Sequence, residues 1–181
     1  MSAAASTELP PWAVAGERRR AHIARVVALL DHWSAAMTLD DAERAAWLDA
    51  GRFHDALRDA PEAELRALAG DAQMPAAILH GPAAAARLAQ DGETRADVLD
   101  AVRWHTLGRA EWARTGRALY MADFLEPGRR FDVELRAGLA AEVPADFDRA
   151  FRRVVQQRIE WTMREGKSLH AETVRLWNAV R

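Results

Sequence analysis

The sequence predicts an all-α fold. Apolar residues recur at intervals of three and four along most of the chain, which is the spacing of one helix face. No segment shows the strict alternation of apolar and polar residues that marks a strand. Gly, Pro and Asp residues interrupt the periodic segments and supply the start and stop signals of helices. We therefore expect a helical bundle around one hydrophobic core.

Four helices are expected in the first half of the chain. Three of them cover residues 17–37, 41–57 and 62–68, and the fourth begins near His80 and ends at Gly92. The first carries an apolar face formed by His22, Val26, Leu29, Leu30 and Trp33. Asp40 is a suitable N-cap for the second helix, with Glu43 placed to complete a capping box. Pro61 precedes the third helix. Pro82 suits the first turn of the fourth, where its missing N–H costs nothing.

Five more helices are expected, over 95–106, 117–126, 133–142, 146–165 and 172–180. Gly108 ends the first of these and Pro127-Gly128 ends the second. Pro144 stops the third. The fourth is long, ends at Gly166, and has an apolar face made of Phe147, Phe151, Val154, Val155, Ile159 and Met163.

The chain is expected to form one domain over residues 17–181, preceded by a flexible N-terminal arm over residues 1–16. A chain of 181 residues is long enough to bury a sizeable core. The arm is rich in Ala, Ser and Pro. Whether the protein forms a homodimer is left open by the sequence. Four tryptophans could form an exposed surface that supports a dimer, or could belong to the core: Trp12, Trp112, Trp161 and Trp177.

The composition disfavours several classes of function. A net charge of −2 provides no general basic field for nucleic acids. Cysteine is absent, which excludes disulfides and thiolate ligands and fits a reducing compartment. Neither a secretory leader nor a run of about 20 apolar residues is visible. We expect a cytoplasmic protein that binds neither membranes nor nucleic acids.

Six residues are candidate metal ligands because they fall on apolar helix faces or at helix ends. They are His22, His54, Asp55, His80, His105 and Asp123. Any one of these histidines is more often a structural core residue than a ligand, and the pair His54-Asp55 alone is a weak signal. Asp123 on an apolar face is costly to bury without a partner, and a metal ion would supply one. The set as a whole predicts a metal site.

The ligand types indicate which metals and which chemistry to expect. Imidazole nitrogen and carboxylate oxygen suit iron, manganese or zinc. The carboxylate of Asp55 is the natural bridge between two ions. Two cations held close together lower the pKa of a bound water and bind phosphate oxygens. The predicted chemistry is therefore hydrolysis of a phosphate compound.

The order of the six residues, H…HD…H…H…D, resembles the pattern of binuclear metal-dependent phosphohydrolases of the HD superfamily. Over about residues 18–178 the chain is similar to the YqeK-type HD-domain family, the bacterial symmetrical bis(5′-nucleosyl)-tetraphosphatases. The matching segments are Arg19-x-x-His22, Phe53-His54-Asp55, Leu79-His80-Gly81-Pro82, Trp104-His105-Thr106-x-Gly108, the ten residues from Tyr120 to Arg129, and Leu169-His170-Ala171-Glu172-Thr173 with Asn178. The segment from Tyr120 to Arg129 is the most specific of these.

The resemblance implies an HD-domain helical bundle with a binuclear metal site in its core. One metal would take His22, His54, Asp55 and Asp123. The other would take Asp55, His80 and His105. A di-iron centre is implied, with manganese or zinc as alternatives.

The resemblance also implies an activity, the symmetrical cleavage of diadenosine tetraphosphate to two ADP by a hydroxide that bridges the metals. The implied catalytic residues are Asp55, Arg58 and Asp123. The implied substrate-binding residues are Arg19, Arg58, Thr106, Glu126 and Arg129. An arginine fork suits phosphate because it can bond two oxygens. Glu126 could instead orient Arg129 or a metal ligand, or simply cap the end of its helix.

Two departures from the family pattern leave the substrate open. Arg58 stands where the family usually has Lys, and the region between Asp55 and His80 is short for the family. A second hypothesis is therefore an HD phosphohydrolase acting on another nucleoside mono- or polyphosphate. A third is a non-catalytic HD module that binds a nucleotide or a partner protein. It ranks low because all six ligand positions are filled.

Overall fold

The predicted all-α fold is confirmed by the computed structural model, which describes residues 8–70 and 74–181. No strand occurs within these two ranges. The described helices are α1 Glu17–Ala36, α2 Asp41–Phe53, α3 Glu62–Ala69, α4 His80–Gln90, α5 Ala96–Trp104, α6 Arg114–Leu125, α7 Val133–Glu142, α8 Phe147–Arg164 and α9 Ala171–Val180. A short 3-10 helix that the sequence did not predict, Ala76–Ile78, precedes α4.

Helices α2 and α5 end earlier than predicted, and one mechanism accounts for both. We expected α2 to reach Leu57 and α5 to reach Thr106, but they end at Phe53 and Trp104. In each case the next residue is a histidine whose Nδ1–H donates to a carbonyl three residues back, over 2.7 Å from His54 to Gly51 and 2.7 Å from His105 to Val102. That carbonyl is the acceptor that the following N–H would need to continue the helix. The ring therefore replaces the next helical hydrogen bond.

Helix α6 is the centre of the bundle. It packs against α1, α2, α5, α7 and α8. All eight residues from Ala118 to Leu125 are buried, as expected for a helix surrounded by other helices. It begins at Arg114, earlier than the predicted Arg117. Asp123 is the only acidic residue of α6, so this helix carries a carboxylate into the middle of the protein.

The described part of the predicted N-terminal arm runs beside the turn that follows α2. The N–H of Val14 donates to the carbonyl of Ala56 (2.8 Å), and the N–H of Asp59 donates to the carbonyl of Val14 (3.1 Å). The indole of Trp12 donates to Asp91. The predicted boundary between arm and domain at residue 16 stays a prediction, and residues 1–7 and 71–73 lie outside the described ranges.

The exposure of individual side chains tests two expectations, the location of four tryptophans and the apolar face of α8. Trp112 is 4% exposed and belongs to the core, whereas Trp12, Trp161 and Trp177 are partly buried. Met163 was expected on the apolar face of α8, but it is 63% exposed, and the last buried residue of this helix is Val155. In the part of the chain that the structure describes, no helix combines the length and hydropathy needed to cross a membrane.

The close approach of α4 to the end of α5 yields a test of the fold. A Cβ at Gly81 would lie 2.9 Å from the carbonyl oxygens of both Val102 and Arg103, and 3.2 Å from Cε1 of His105. Because backbone atoms cannot move aside cheaply, we expect Gly81→Ala to lower the free energy of unfolding by about 1–3 kcal/mol. Denaturant unfolding measures this.

The matched control is Gly138→Ala in the exposed part of α7, where a Cβ would meet nothing within 4 Å. There the helix propensity of Ala should stabilise the protein by up to about 1 kcal/mol. Equal stability of the two variants would contradict the packing argument.

Candidate metal centre

The fold brings all six predicted ligands together. Two lie within helices, His22 in α1 and Asp123 in α6. His80 is the first residue of α4. His54 and Asp55 follow α2, and His105 follows α5. All six are between 0% and 7% exposed.

The carboxylate of Asp55 lies between two pairs of imidazoles. Its Oδ2 is 3.6 Å from Nε2 of His22 and 3.6 Å from Nε2 of His54. Its Oδ1 is 3.1 Å from Nε2 of His80 and 3.6 Å from Nε2 of His105. Each oxygen therefore faces a different pair, which is the arrangement that a bridging carboxylate requires.

The imidazoles face each other within each pair. The two Nε2 atoms of His22 and His54 are 3.3 Å apart, and those of His80 and His105 are 3.0 Å apart. Asp123 completes the first pair, with its Oδ1 3.2 Å from Nε2 of His22. Donor atoms thus fall into two clusters that could each hold a metal ion, one of His22, His54 and Asp123 and one of Asp55, His80 and His105.

The hydrogen bonds at Nδ1 test whether these clusters fit a cation. A carbonyl can only accept, so the Nδ1–H of His54 and of His105 is the donor, and in the neutral form of either ring the lone pair of Nε2 points into the site. The buried Nδ1 of His80 has no partner in the described ranges. Converging nitrogen lone pairs and carboxylate oxygens repel unless a cation lies between them. The donor set therefore fits divalent metal ions of the type that prefers imidazole and carboxylate.

Burial and local charge move the pKa values of these groups in different directions. Burial lowers the pKa of His54 to about 3, so this imidazole is neutral. Burial would also lower the pKa of His22, but hydrogen bonds to Asp123 and Glu126 raise it to about 9. Burial opposes ionisation of Asp55, yet His54, His105 and His80 hold the pKa of this carboxyl well below its usual range. The site therefore carries ionised carboxylates although it is buried.

Relatives of this chain are known by sequence. No protein-family model matches it. It is 27% identical over 134 residues to the symmetrical bis(5′-nucleosyl)-tetraphosphatase of Bacillus subtilis, which covers 70% of this chain and 71% of that protein. A protein of the same name from Staphylococcus aureus is 42% identical over 53 residues, which covers 29% of this chain and 27% of that protein. A third protein of this name, from Halalkalibacterium halodurans, is 25% identical over 104 residues, and the match covers 57% of this chain and 54% of that protein.

Structure gives an independent comparison. The crystal structure of a predicted HD superfamily hydrolase involved in NAD metabolism, from Clostridium acetobutylicum, matches with a TM-score of 0.76. The match covers 91% of this chain and 89% of that chain at 24% sequence identity. The chain has the fold of the HD superfamily. Together with the three sequence relatives, this confirms the resemblance to the YqeK-type HD proteins.

A cavity of about 590 Å³ opens onto the two clusters. Asp55, His80, His105 and Asp123 are on its lining. Four of the predicted substrate-binding residues also line it, namely Arg19, Arg58, Thr106 and Arg129. Aromatic side chains form part of the wall, and two of them, Phe131 and Trp161, stack with ring centroids 5.3 Å apart.

Glu126, the fifth predicted substrate-binding residue, is not on the described lining of the cavity. It is 1% exposed and lies behind His22, with its Oε1 3.2 Å from Nδ1 of that ring. Its Oε2 accepts hydrogen bonds from Nε of Arg25 (2.5 Å) and from the N–H of Gly128 (2.7 Å). These contacts correspond to the other role considered above, orientation of a ligand. Sequence reasoning did not identify Arg25 as a partner of this acid.

Arginines bind both carboxylates. Nη1 of Arg19 lies 2.5 Å from Oδ2 of Asp55, and Nη2 of Arg129 lies 2.6 Å from Oδ1 of Asp123. Nη1 of Arg158, in α8, lies 3.3 Å from Oδ2 of Asp123. Sequence reasoning missed Arg158. The available signal was its spacing, four residues after Val154 and seven after Phe151 on the apolar face of α8.

The contact between Glu126 and His22 predicts a pH effect in the metal-free protein. Because the folded-state pKa of His22 is raised above 6.5, the stabilisation by this group is fully present below pH 6.5 and is lost as the pH rises through about 9. Glu126→Gln removes one of the two carboxylates that hold the proton. We expect the pKa of His22 to fall toward 6.5, as measured by NMR titration of the imidazole protons.

Glu142→Gln is the matched control, because Glu142 pairs with Arg153 away from the cavity. It should leave the titration of His22 unchanged. A His22 pKa that is the same in the wild type and in Glu126→Gln would contradict the role assigned to Glu126.

Proposed function

We propose that this chain is a metal-dependent phosphohydrolase that cleaves diadenosine tetraphosphate symmetrically to two ADP. Three sequence relatives carry the name symmetrical bis(5′-nucleosyl)-tetraphosphatase, which supports this substrate. The observation that carries the proposal is the position of Asp55. Its two oxygens face separate imidazole pairs. Asp55 itself lines a cavity whose described charged residues, histidines aside, are five cations and two acids.

The proposed cofactor is a pair of metal ions, iron in the first instance, with manganese or zinc as alternatives. His22, His54 and Asp123 would hold one ion and His80 and His105 the other, with Asp55 shared between them. When bound, such ions lower the pKa of water and stabilise charge on phosphate oxygens. Asp55 and Asp123 are catalytic in this sense, because the negative charge that holds the ions comes from them.

The side chains around the clusters suit a polyphosphate. Arg19, Arg58 and Arg129 line the cavity, and an arginine fork can bond two phosphate oxygens at once. Among the described residues, the Arg58 side chain makes a single weak hydrogen bond, 3.5 Å from Nη1 to the carbonyl of Ala77, so its guanidinium is available to a ligand. The Thr106 hydroxyl, 3.2 Å from Nε2 of His105, can donate to an oxygen beside the second cluster.

The reaction consumes one water for each phosphoanhydride bond broken. Water attacks one of the two central phosphorus atoms, the bridging P–O bond between them breaks, and the ADP that leaves takes that oxygen. The second ADP retains the oxygen of the water. Arg19, Arg58 and Arg129 can offset the charge that develops on the phosphate oxygens. The aromatic wall, including the stacked pair Phe131 and Trp161, offers flat faces for a nucleobase.

A second candidate keeps the metal chemistry and changes the nucleotide. The solved relative is described as involved in NAD metabolism, which supports a nucleotide other than diadenosine tetraphosphate. Two departures from the family pattern also leave the identity of the nucleotide open, namely the short region between Asp55 and His80 and the Arg at position 58. A non-catalytic nucleotide- or protein-binding module is disfavoured, because the six ligands and the cationic lining are all present.

The bridging position of Asp55 predicts unequal losses of metal. In protein reconstituted with iron we expect about two ions per chain. Asp55→Asn should deplete both ions, because this carboxylate faces both clusters. His54→Ala should deplete one ion, since His54 belongs to one cluster. Elemental analysis of the purified variants measures this.

His32→Ala is the control, because His32 is an exposed histidine of α1 and should retain the wild-type metal content. Full metal content and activity in His54→Ala would refute the proposed ligand set.

Hydrolysis of diadenosine tetraphosphate by the metal-loaded protein tests the substrate. We expect ADP as the sole product, resolved by chromatography. AMP with ATP would mean attack at a different phosphorus. Absence of turnover by fully metallated protein would overturn this substrate, and a panel of mononucleotides and NAD would then test the second candidate.

A further inference from the structure

Arg158 reaches the cavity from α8 and is held mainly by contacts that do not involve an acid. Its guanidinium carbon lies 3.9 Å from the ring centroid of Tyr120. Nη1 donates to the carbonyl of Tyr120 (3.0 Å), and Nη2 lies 3.4 Å from the carbonyl of Thr106. The side chain is 15% exposed and lines the cavity. An aromatic face and two carbonyls therefore set its orientation.

Three cationic side chains contact the two oxygens of Asp123. Nη2 of Arg129 is 2.6 Å from Oδ1, and Nε2 of His22 is 3.2 Å from the same oxygen. The contact of Arg158 with Oδ2 is the longest of the three, at 3.3 Å. Burial opposes ionisation of Asp123, and Arg129, His22 and Arg158 together hold the pKa of this carboxyl well below its usual range. A metal ion bound by Asp123 would compete with Arg158, the most distant of these partners, for the carboxylate.

The contacts of Arg158 with Tyr120 and Thr106 would persist when a metal ion takes Asp123, because those partners are not in the ligand set. The guanidinium would then be a mostly buried cation on the cavity lining without an anion, which is an unfavourable state. A phosphate oxygen in the cavity would supply that anion. The location suits this, since Arg158 touches Asp123 of one cluster and the turn that carries His105 of the other.

We propose that Arg158 is a phosphate-binding residue that exchanges the carboxylate of Asp123 for a phosphate oxygen of the substrate when the metal site is filled. This inference rests on the proposed function for its polyphosphate ligand. Arg129 differs from Arg158 in one respect, because its Nε also donates to the main-chain carbonyl of Asp123 (3.0 Å).

The opposing interpretation is structural, with Arg158 as a strap that joins α8 to α6. A strap would contribute to stability and to the placement of Asp123. Its removal would weaken metal binding and would leave the phosphate affinity of the metal-saturated protein unchanged. If Arg158 binds phosphate, its removal weakens the phosphate affinity of the metal-saturated protein and does not weaken metal binding.

The test compares Arg158→Met and Arg158→Lys with the wild type. Arg117→Met is the matched control, because Arg117 also lies by an aromatic ring, Phe151 (5.3 Å), and pairs with a carboxylate, Asp148 (3.2 Å), but is not on the described cavity lining. The probe is inorganic tripolyphosphate, titrated calorimetrically into metal-saturated protein. Metal affinity and thermal unfolding of the metal-free protein are measured in parallel.

We expect Arg158→Met to weaken tripolyphosphate binding about tenfold or more, as for the loss of a charge-assisted hydrogen bond. Arg158→Lys should weaken it severalfold, because it keeps the charge and loses the fork. Metal affinity should be unchanged or higher in both variants, and Arg117→Met should bind the probe as the wild type does. If Arg158→Met does not fold, Arg158→Lys decides by the same measurements.

Tripolyphosphate affinity equal to that of the wild type in either folded Arg158 variant would overturn the proposal, as would a fall in metal affinity with no change in phosphate affinity. The outcome is separable from the proposed function. Wild-type protein that binds tripolyphosphate through Arg158 and leaves diadenosine tetraphosphate intact would refute that substrate and retain this residue's role. If the Arg158 variants hydrolyse diadenosine tetraphosphate and bind tripolyphosphate as the wild type does, the substrate is retained and the role of Arg158 is refuted.

Discussion

The buried carboxylate of Asp55 is the constraint on which the rest of the site depends. An ionised carboxylate at 3% exposure is stable only if cationic or hydrogen-bonding groups surround it. The guanidinium of Arg19 contacts one of its oxygens, and cations held between this carboxylate and the four imidazoles that face it would meet the rest of the requirement. Because each oxygen faces its own pair of rings, the same arrangement that makes burial tolerable also defines two adjacent cation sites.

The helix ends are part of this arrangement. His54 and His105 each follow the last residue of a helix, and each ring takes the carbonyl that would have continued it. One hydrogen bond thus ends the helix, sets the ring orientation and leaves Nε2 free for a ligand. Gly81 allows α4 to approach the end of α5 closely, which brings His80 beside His105. Local chain geometry and ligand geometry are therefore the same feature of the fold.

The arginines around the site have a charge role that depends on what else is bound. In the metal-free chain, Arg19 pairs with Asp55, and Arg129 and Arg158 pair with Asp123. Metal ions would compete with these arginines for the carboxylates, and the guanidinium groups would then need anions. A polyphosphate provides several. Metal loading and phosphate binding are therefore expected to support each other in this protein.

The sequence alone determined the helical class, most helix boundaries and the six ligand candidates. This was possible because helical periodicity is local and because histidine or aspartate on an apolar face is a conspicuous exception to it. The true ends of α2 and α5 could not be read in this way, since they depend on side-chain hydrogen bonds of His54 and His105. Only the tertiary structure decided that Glu126 lies behind His22 and that Arg158 reaches Asp123. Those contacts join residues 104 and 35 positions apart, and no local pattern encodes which distant helices meet.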